Sequence, residues 1–250
     1  MPGPAFVVSR CPDQGAAIAE RLLADERPVA LLADGFELAA LDASLVDRLA
    51  GSAVLDADGG AGVEVDAALD ALASAVGAPG AVVSVLGPGR SQSVLRADPA
   101  VFDRHLDATL GHAFRTAAWA ARSMAPERTG RIVLVTSVIG VFGGAWETAH
   151  GAAAAGSIGL ARSLAREVAP AGITVNVVDA GAVRTAHLEA MGATKAGARH
   201  LEEMARRSAL GRLGEPAEVA EVVAWLASSD ASYVTGAVVP VDGGLAMGFT

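Results

Sequence analysis

Short apolar runs alternate with helical stretches along nearly the whole chain, and that alternation restricts the fold more than any other feature. Residues 6–9 open as a strand. Residues 16–23 follow with helical spacing, Ile18, Leu22 and Leu23 sharing one face. Residues 29–33 and 53–55 read as the second and third strands, followed by Asp34-Gly35 and by Asp56 and Asp58. Residues 63–76 are predicted helical, and 81–86 form a fourth strand closed by Gly87-Pro88-Gly89. A long amphipathic helix is predicted over 102–124, and a β-branched strand over 131–137. An alanine-rich helix over 152–168 ends at Pro170 and Gly172, and a strand over 173–178 follows. Helix 217–227, with Pro216 near its start, leads to the last strand at 238–241. Strands alternating with helices build a parallel, doubly wound sheet, so the predicted fold class is α/β with one domain over 1–250. Residues 184–214 carry the least regular pattern. They follow a strand end, where open α/β sheets bind ligands, and are predicted to form a mobile substrate lid.

Composition narrows the function classes. A chain of 250 residues with 52% apolar and 19% charged residues can bury a sizeable core. A net charge of −9 argues against a general nucleic-acid or anionic-membrane binder, because both need a positive surface. Cys11 is the single cysteine, so no internal disulfide can form and a reducing cytoplasm is the expected location. No basic region followed by a long apolar core opens the chain, so no signal peptide is expected. The most apolar helical stretch, 152–164, is interrupted by Gly156, Ser157, Gly159, Arg162 and Ser163 and reads as a buried helix, not a membrane span.

Several ordered strings then carry a family resemblance. Gly130-Arg131-Ile132-Val133 leads to Ser137, followed by Gly159-Leu160-Ala161-Arg162-Ser163-Leu164-Ala165 and Gly172-Ile173-Thr174-Val175-Asn176. Gly211-Arg212-Leu213-Gly214-Glu215-Pro216, Tyr233-Val234-Thr235-Gly236 and Val241-Asp242-Gly243-Gly244 complete the series. Over nearly its whole length the chain resembles the short-chain dehydrogenase/reductases, most of all the 3-oxoacyl carrier-protein reductase type. The resemblance implies a Rossmann-like sheet, NAD(H) or NADP(H) as cofactor, carbonyl reduction, and assembly as dimers or tetramers.

The residues that would perform that chemistry depart from the family pattern. The family's Thr-Gly-x-x-x-Gly-x-Gly turn lets backbone N–H groups reach a pyrophosphate. Here the stretch reads Val8-Ser9-Arg10-Cys11-Pro12-Asp13-Gln14-Gly15, which leaves Gly15 alone of the three glycines. A carboxylate at Asp13 repels phosphate, and Pro12 removes a donor. Arg10 reads either as a surface arginine on a loop or as a replacement phosphate clamp. Asp34 matches the family's ribose contact and Asp56 its adenine contact. Each also reads as a turn residue after a strand. The Asn-Asn-Ala-Gly string after strand four reads Ser84-Val85-Leu86-Gly87, and the Pro-Gly after strand six reads Ala180-Gly181, preceded by Asp179. The expectation is that no dinucleotide is held tightly; NAD(H) or NADP(H) remains the cofactor if the site works.

Family catalysis uses an asparagine, a serine, a tyrosine and a lysine. Ser137 matches the serine, and His150, 13 residues later, falls at the tyrosine position. Ala154 replaces the lysine and Thr109 the asparagine. Tyr233 and Lys195, the only tyrosine and lysine of the chain, lie elsewhere, so the pair has not been relocated. His150 reads as drift at a helix head, or as an acid/base group working with Ser137, with Glu147 three residues earlier as its possible orienting carboxylate.

Three functions fit this pattern. The first is a non-catalytic subunit, as a homo-oligomer or in a hetero-oligomer with an active short-chain dehydrogenase. Its assembly would use the long helices, where the small residues from Gly151 to Gly156 permit close contact. The second is an atypical enzyme on an acyl-thioester or polyketide-like carbonyl compound, with Ser137 and His150 in acid/base roles. The third is a nucleotide or metabolite sensor. None needs nucleic acid or a membrane.

Overall fold

The computed structural model describes residues 3–55, 63–87, 89 and 92–247. Seven strands form one parallel sheet: β1 (Ala5–Ser9), β2 (Val29–Asp34), β3 (Gly51–Leu55), β4 (Ala81–Val85), β5 (Gly130–Ser137), β6 (Ile173–Ala180) and β7 (Val238–Val241). Their order is β3-β2-β1-β4-β5-β6-β7. Every residue of β1, β2, β4 and β6 is buried. This is why those runs read as continuously apolar: a parallel sheet covered on both faces has no solvent side.

The helices are α1 (Pro12–Ala24), α2 (Ala43–Arg48), α3 (Val63–Val76), α4 (Pro99–Leu106), α5 (His112–Met124), α6 (Ile139–Phe142), α7 (Thr148–Val168), α8 (Ala186–Met191), α9 (Lys195–Arg207) and α10 (Pro216–Leu226). One face of the sheet packs on α1 and α10 through Ile18, Leu22, Val219, Val223 and Leu226. The other packs on α3, α5 and α7 through Leu69, Leu72, Trp119, Met124, Ala161 and Ala165. The alternation of strand side chains divides the core in this way: Val7 and Val83 join the first cluster, Phe6 and Val82 the second.

Two expectations are corrected. The helix predicted over 102–124 is not uniform: a wider π-type turn, Asp107–Gly111, separates α4 from α5. Such turns shift the register of the face that follows and recur at functional sites. The irregular segment 184–214 contains two capped helices. Thr185 accepts from Leu188 N at the head of α8, and Thr194 accepts from Gly197 N at the head of α9. No residue of either is buried and α9 is rich in charged side chains, so no apolar run marked them.

Phe6 is fully buried and stacks on Trp119 at 5.6 Å between ring centres, so it joins β1 to α5 beneath the strand ends. Replacing Phe6 by alanine is expected to cost about 3–5 kcal/mol in urea unfolding, the range for deleting a buried aromatic. A loss under about 1 kcal/mol would contradict this packing.

Candidate functional site

The sheet order reverses between β1 and β4, so the crevice beyond their C-terminal ends is where a doubly wound sheet takes a ligand. The turn that leaves β1 is stiffened by Ser9, whose hydroxyl donates to Cys11 O at 2.8 Å and accepts from Cys11 N at 3.1 Å. A Cβ at Gly15 would stand 2.7 Å from Ser9 Cβ, so glycine is required there to admit the serine.

Arg10 is not on the surface. Its side chain is 15% exposed and its Nη1 lies 2.5 Å from Asp34 Oδ2. His112 Nδ1 donates to the same oxygen at 2.8 Å, with His112 and Asp34 only 2% and 4% exposed. The arginine stem passes close to the end of β4, where a Cβ at Gly87 would stand 3.0 Å from Arg10 Cβ. Arg10 therefore runs from the end of β1, with its stem beside Gly87 after β4, to the carboxylate at the end of β2. Asp34 is the last residue of β2 and a buried ion-pair partner, not a solvated turn residue. Burial alone would raise its carboxyl, but the hydrogen bonds and charges of His112 and Arg10 outweigh that and hold it below the ordinary value. Asp56 lies outside the described residues.

The predicted catalytic residues are brought to the same edge of the sheet. Ser137 ends β5, half-buried, and its hydroxyl accepts a long 3.4 Å bond from Ile139 N. His150 lies in the first turn of α7 and meets the His105 ring edge-on at 5.9 Å. Its Nδ1 is buried with no hydrogen-bond partner among the described residues, so Glu147 does not orient it through that atom. Burial lowers the His150 pKa and favours the neutral ring. The loop after β4 lies against it: a Cβ at Gly89 would stand 2.8 Å from His150 Cγ, and Gln92 N donates to Trp146 O at 2.7 Å. Thr109 donates to His105 O at 2.5 Å, inside its own helix. Ala154 is fully buried, and α6 approaches it so closely that a Cβ at Gly140 would stand 2.8 Å from Ala154 Cβ. Nothing at that position can act as the missing cation.

The segment 184–214 arches from a pinned base. Arg184 N donates to Gly214 O at 2.8 Å and Gly214 N to Ala182 O at 2.9 Å. Its first helix reaches the β1–α1 turn, where Asp13 Oδ2 accepts from Ala186 N at 3.2 Å. A cavity of about 410 Å³ lies on its far side, lined by Val183, Leu210, Val219, Val241 and Met247 among others, away from the β1/β4 crevice. Among the described residues no cluster of His, Cys, Asp and Glu is placed to hold a metal, and no helix is long and apolar enough to cross a membrane.

Residues 14–246 match the family described as enoyl-(acyl carrier protein) reductase. The chain is 38% identical to the 3-oxoacyl-(acyl-carrier-protein) reductase MabA of Mycobacterium tuberculosis over 241 residues, 94% of this chain and 89% of that protein. The chain belongs to the short-chain dehydrogenase/reductase family. Its fold superposes on acetoin dehydrogenase from Enterobacter cloacae with a TM-score of 0.86 and 28% identity, covering 99% of this chain and 96% of the other. Levodione reductase gives a TM-score of 0.90 at 27% identity, over 99% and 98% of the two chains.

As a short-chain dehydrogenase/reductase the protein holds two site features that sequence reasoning missed. His112 is one, although Ala113, Thr116, Ala117 and Ala120 at helical spacing put it on the inner face of α5. Asp179 is the other. It falls in register with Thr136 and follows Val175 and Val177 in alternation, so it points inward under α7. It is 2% exposed, and its Oδ1 and the Thr136 hydroxyl find no partner among the described residues. Burial, and then the charge of Asp242, raise its carboxyl to about 6. A folded-state pKa above the unfolded one means that stability is lost as pH rises from about 4 to about 6. Asp179→Asn should therefore stabilise the protein by about 2 kcal/mol at pH 8 and by little at pH 4. Equal shifts of the urea midpoint at both pH values would contradict a buried, ionising carboxyl.

Proposed function

We propose that this short-chain dehydrogenase/reductase does not perform ordinary dinucleotide-dependent carbonyl reduction and serves as a non-catalytic subunit beside an active family member. The observation that carries this reading is the Arg10–Asp34–His112 cluster in the β1/β4 crevice. A dinucleotide bound in the family manner needs that space for its pyrophosphate and needs Asp34 for its ribose. Arg10 takes the first, and the carboxylate is already shared between two internal donors. The residues present do not fit the cofactor. The chemistry at the other end agrees: His150 stands in place of the tyrosine acid and buried Ala154 in place of the lysine.

The assembly side of the family is better preserved. Phe114 on α5 is 56% exposed, and Ala155 on α7 is exposed as well, so both long helices present unpartnered outer faces. Obligate interfaces commonly bury about 2,000 Å² or more in total. The small-residue contact at Gly156 is internal, because a Cβ there would meet Leu110 of the same chain at 2.6 Å.

A second reading is favoured by the relatives, named as 3-oxoacyl-(acyl-carrier-protein) reductases. In it, His150 and Ser137 act on an acyl-thioester carbonyl in acid/base roles.

Two measurements separate the readings. Titration calorimetry with NADH and NADPH is expected to show no binding below millimolar concentration, and the protein alone should not reduce an acetoacetyl thioester. Losing a positioned acid costs about 10²–10⁴-fold on its own. Micromolar binding with turnover that disappears in His150→Ala would overturn the first reading and establish the second. Sedimentation of wild type should show an oligomer and Ala155→Glu should break it, since a buried unpaired carboxylate costs several kcal/mol. A wild-type monomer at micromolar concentration would remove the subunit role.

A further inference from the structure

Asp13 occupies the second position of α1, where the family turn carries a glycine. Its carboxylate reaches across 173 residues of sequence to the backbone N–H of Ala186 at 3.2 Å. That N–H belongs to the first turn of α8, whose leading donors have no partner within the helix. Thr185 satisfies the N–H of Leu188, and Asp13 satisfies that of Ala186. The arch 184–214 is then tied at three places. Its base is closed by the Val183–Gly214 bridge. Its far end is held by Ser208 Oγ and Leu210 N, which both donate to Gly243 O at 2.9 and 3.1 Å. Its front is held by Asp13.

The front tie differs from the others in kind. The β1–α1 turn of a doubly wound sheet is where an anionic ligand sits, and here a carboxylate of the protein stands at that turn and takes a donor from the arch. We infer that Asp13 is an internal stand-in for an anionic ligand and holds the arch closed over the sheet edge when nothing is bound. This rests on the reading that the crevice takes no dinucleotide. The closed arch is the resting state of the protein and presents the exposed helix α9 as a fixed surface.

Hydrogen exchange of the full chain, read by mass spectrometry over residues 186–207, tests this with wild type, Asp13→Ala and Asp13→Asn, each with and without millimolar NADH. Wild-type α8 and α9 should be protected. Asp13→Ala should exchange about tenfold faster there, the scale of one hydrogen bond, with the sheet amides unchanged. Asp13→Asn keeps an acceptor oxygen and should stay near wild type; exchange as fast as Asp13→Ala would contradict the hydrogen-bond role. Unchanged exchange in Asp13→Ala would sink the latch and leave the proposed function standing. Added protection of wild type by NADH would sink the proposed function, because the arch would then close on ligand.

Discussion

The Asp34 carboxylate ends β2 almost without access to water, and its charge survives there only because two donors converge on one of its oxygens. Arg10 approaches from the end of β1 and His112 from the first turn of α5. A buried ion pair of this kind gains little over an apolar alternative, but removing one partner strands a charge and costs about 3–5 kcal/mol. The cluster therefore fixes three elements relative to one another at the point where the sheet reverses its order. The proposed non-catalytic role rests on this cluster, in which Arg10 and His112 already engage the Asp34 carboxylate.

The same exchange recurs along the sheet edge. Ser9 fills the turn and makes Gly15 obligatory, while Asp13 takes the Ala186 N–H. Gly89 abuts His150, and Ala154 is sealed under α6. Trp146, 67% exposed, holds a left-handed φ of 68°, a conformation that costs a non-glycine residue about 1–2 kcal/mol. Its carbonyl accepts from Gln92, so the strained residue joins the loop after β4 to the approach to α7. Asp179 is a buried carboxyl on this edge whose Oδ1 finds no partner among the described residues, and the hydroxyl of its neighbour Thr136 is unpartnered too. Stability and site are thus linked here by side chains placed where the family keeps glycine, lysine or small residues.

How much of this was legible follows from what each signal measures. Short apolar runs marked all seven strands; in β1, β2, β4 and β6 they reflect burial on both faces of the sheet, while β3 and β7 at its edges are only partly buried. The helices α8 and α9 escaped because they bury no whole residue and α9 is mostly charged and polar. The departures at positions 9, 13, 150 and 154 were visible in the string itself. Their meaning was not. Arg10 read as a surface arginine or a phosphate clamp, and Asp34 as a turn residue or a ribose contact, because the string cannot report a partner 24 residues away. His112 was found only by the π-type turn and the helix packing that aim it at β2.

The central claim is that the β1/β4 crevice is filled by Arg10 and that Asp34 belongs to the protein interior. A crystal structure grown with millimolar NADPH tests it most directly. The account predicts Arg10 on Asp34, His112 on the same oxygen, and no dinucleotide at the β1–α1 turn. Density for a dinucleotide there, with Arg10 displaced and Asp34 on its ribose, would contradict it.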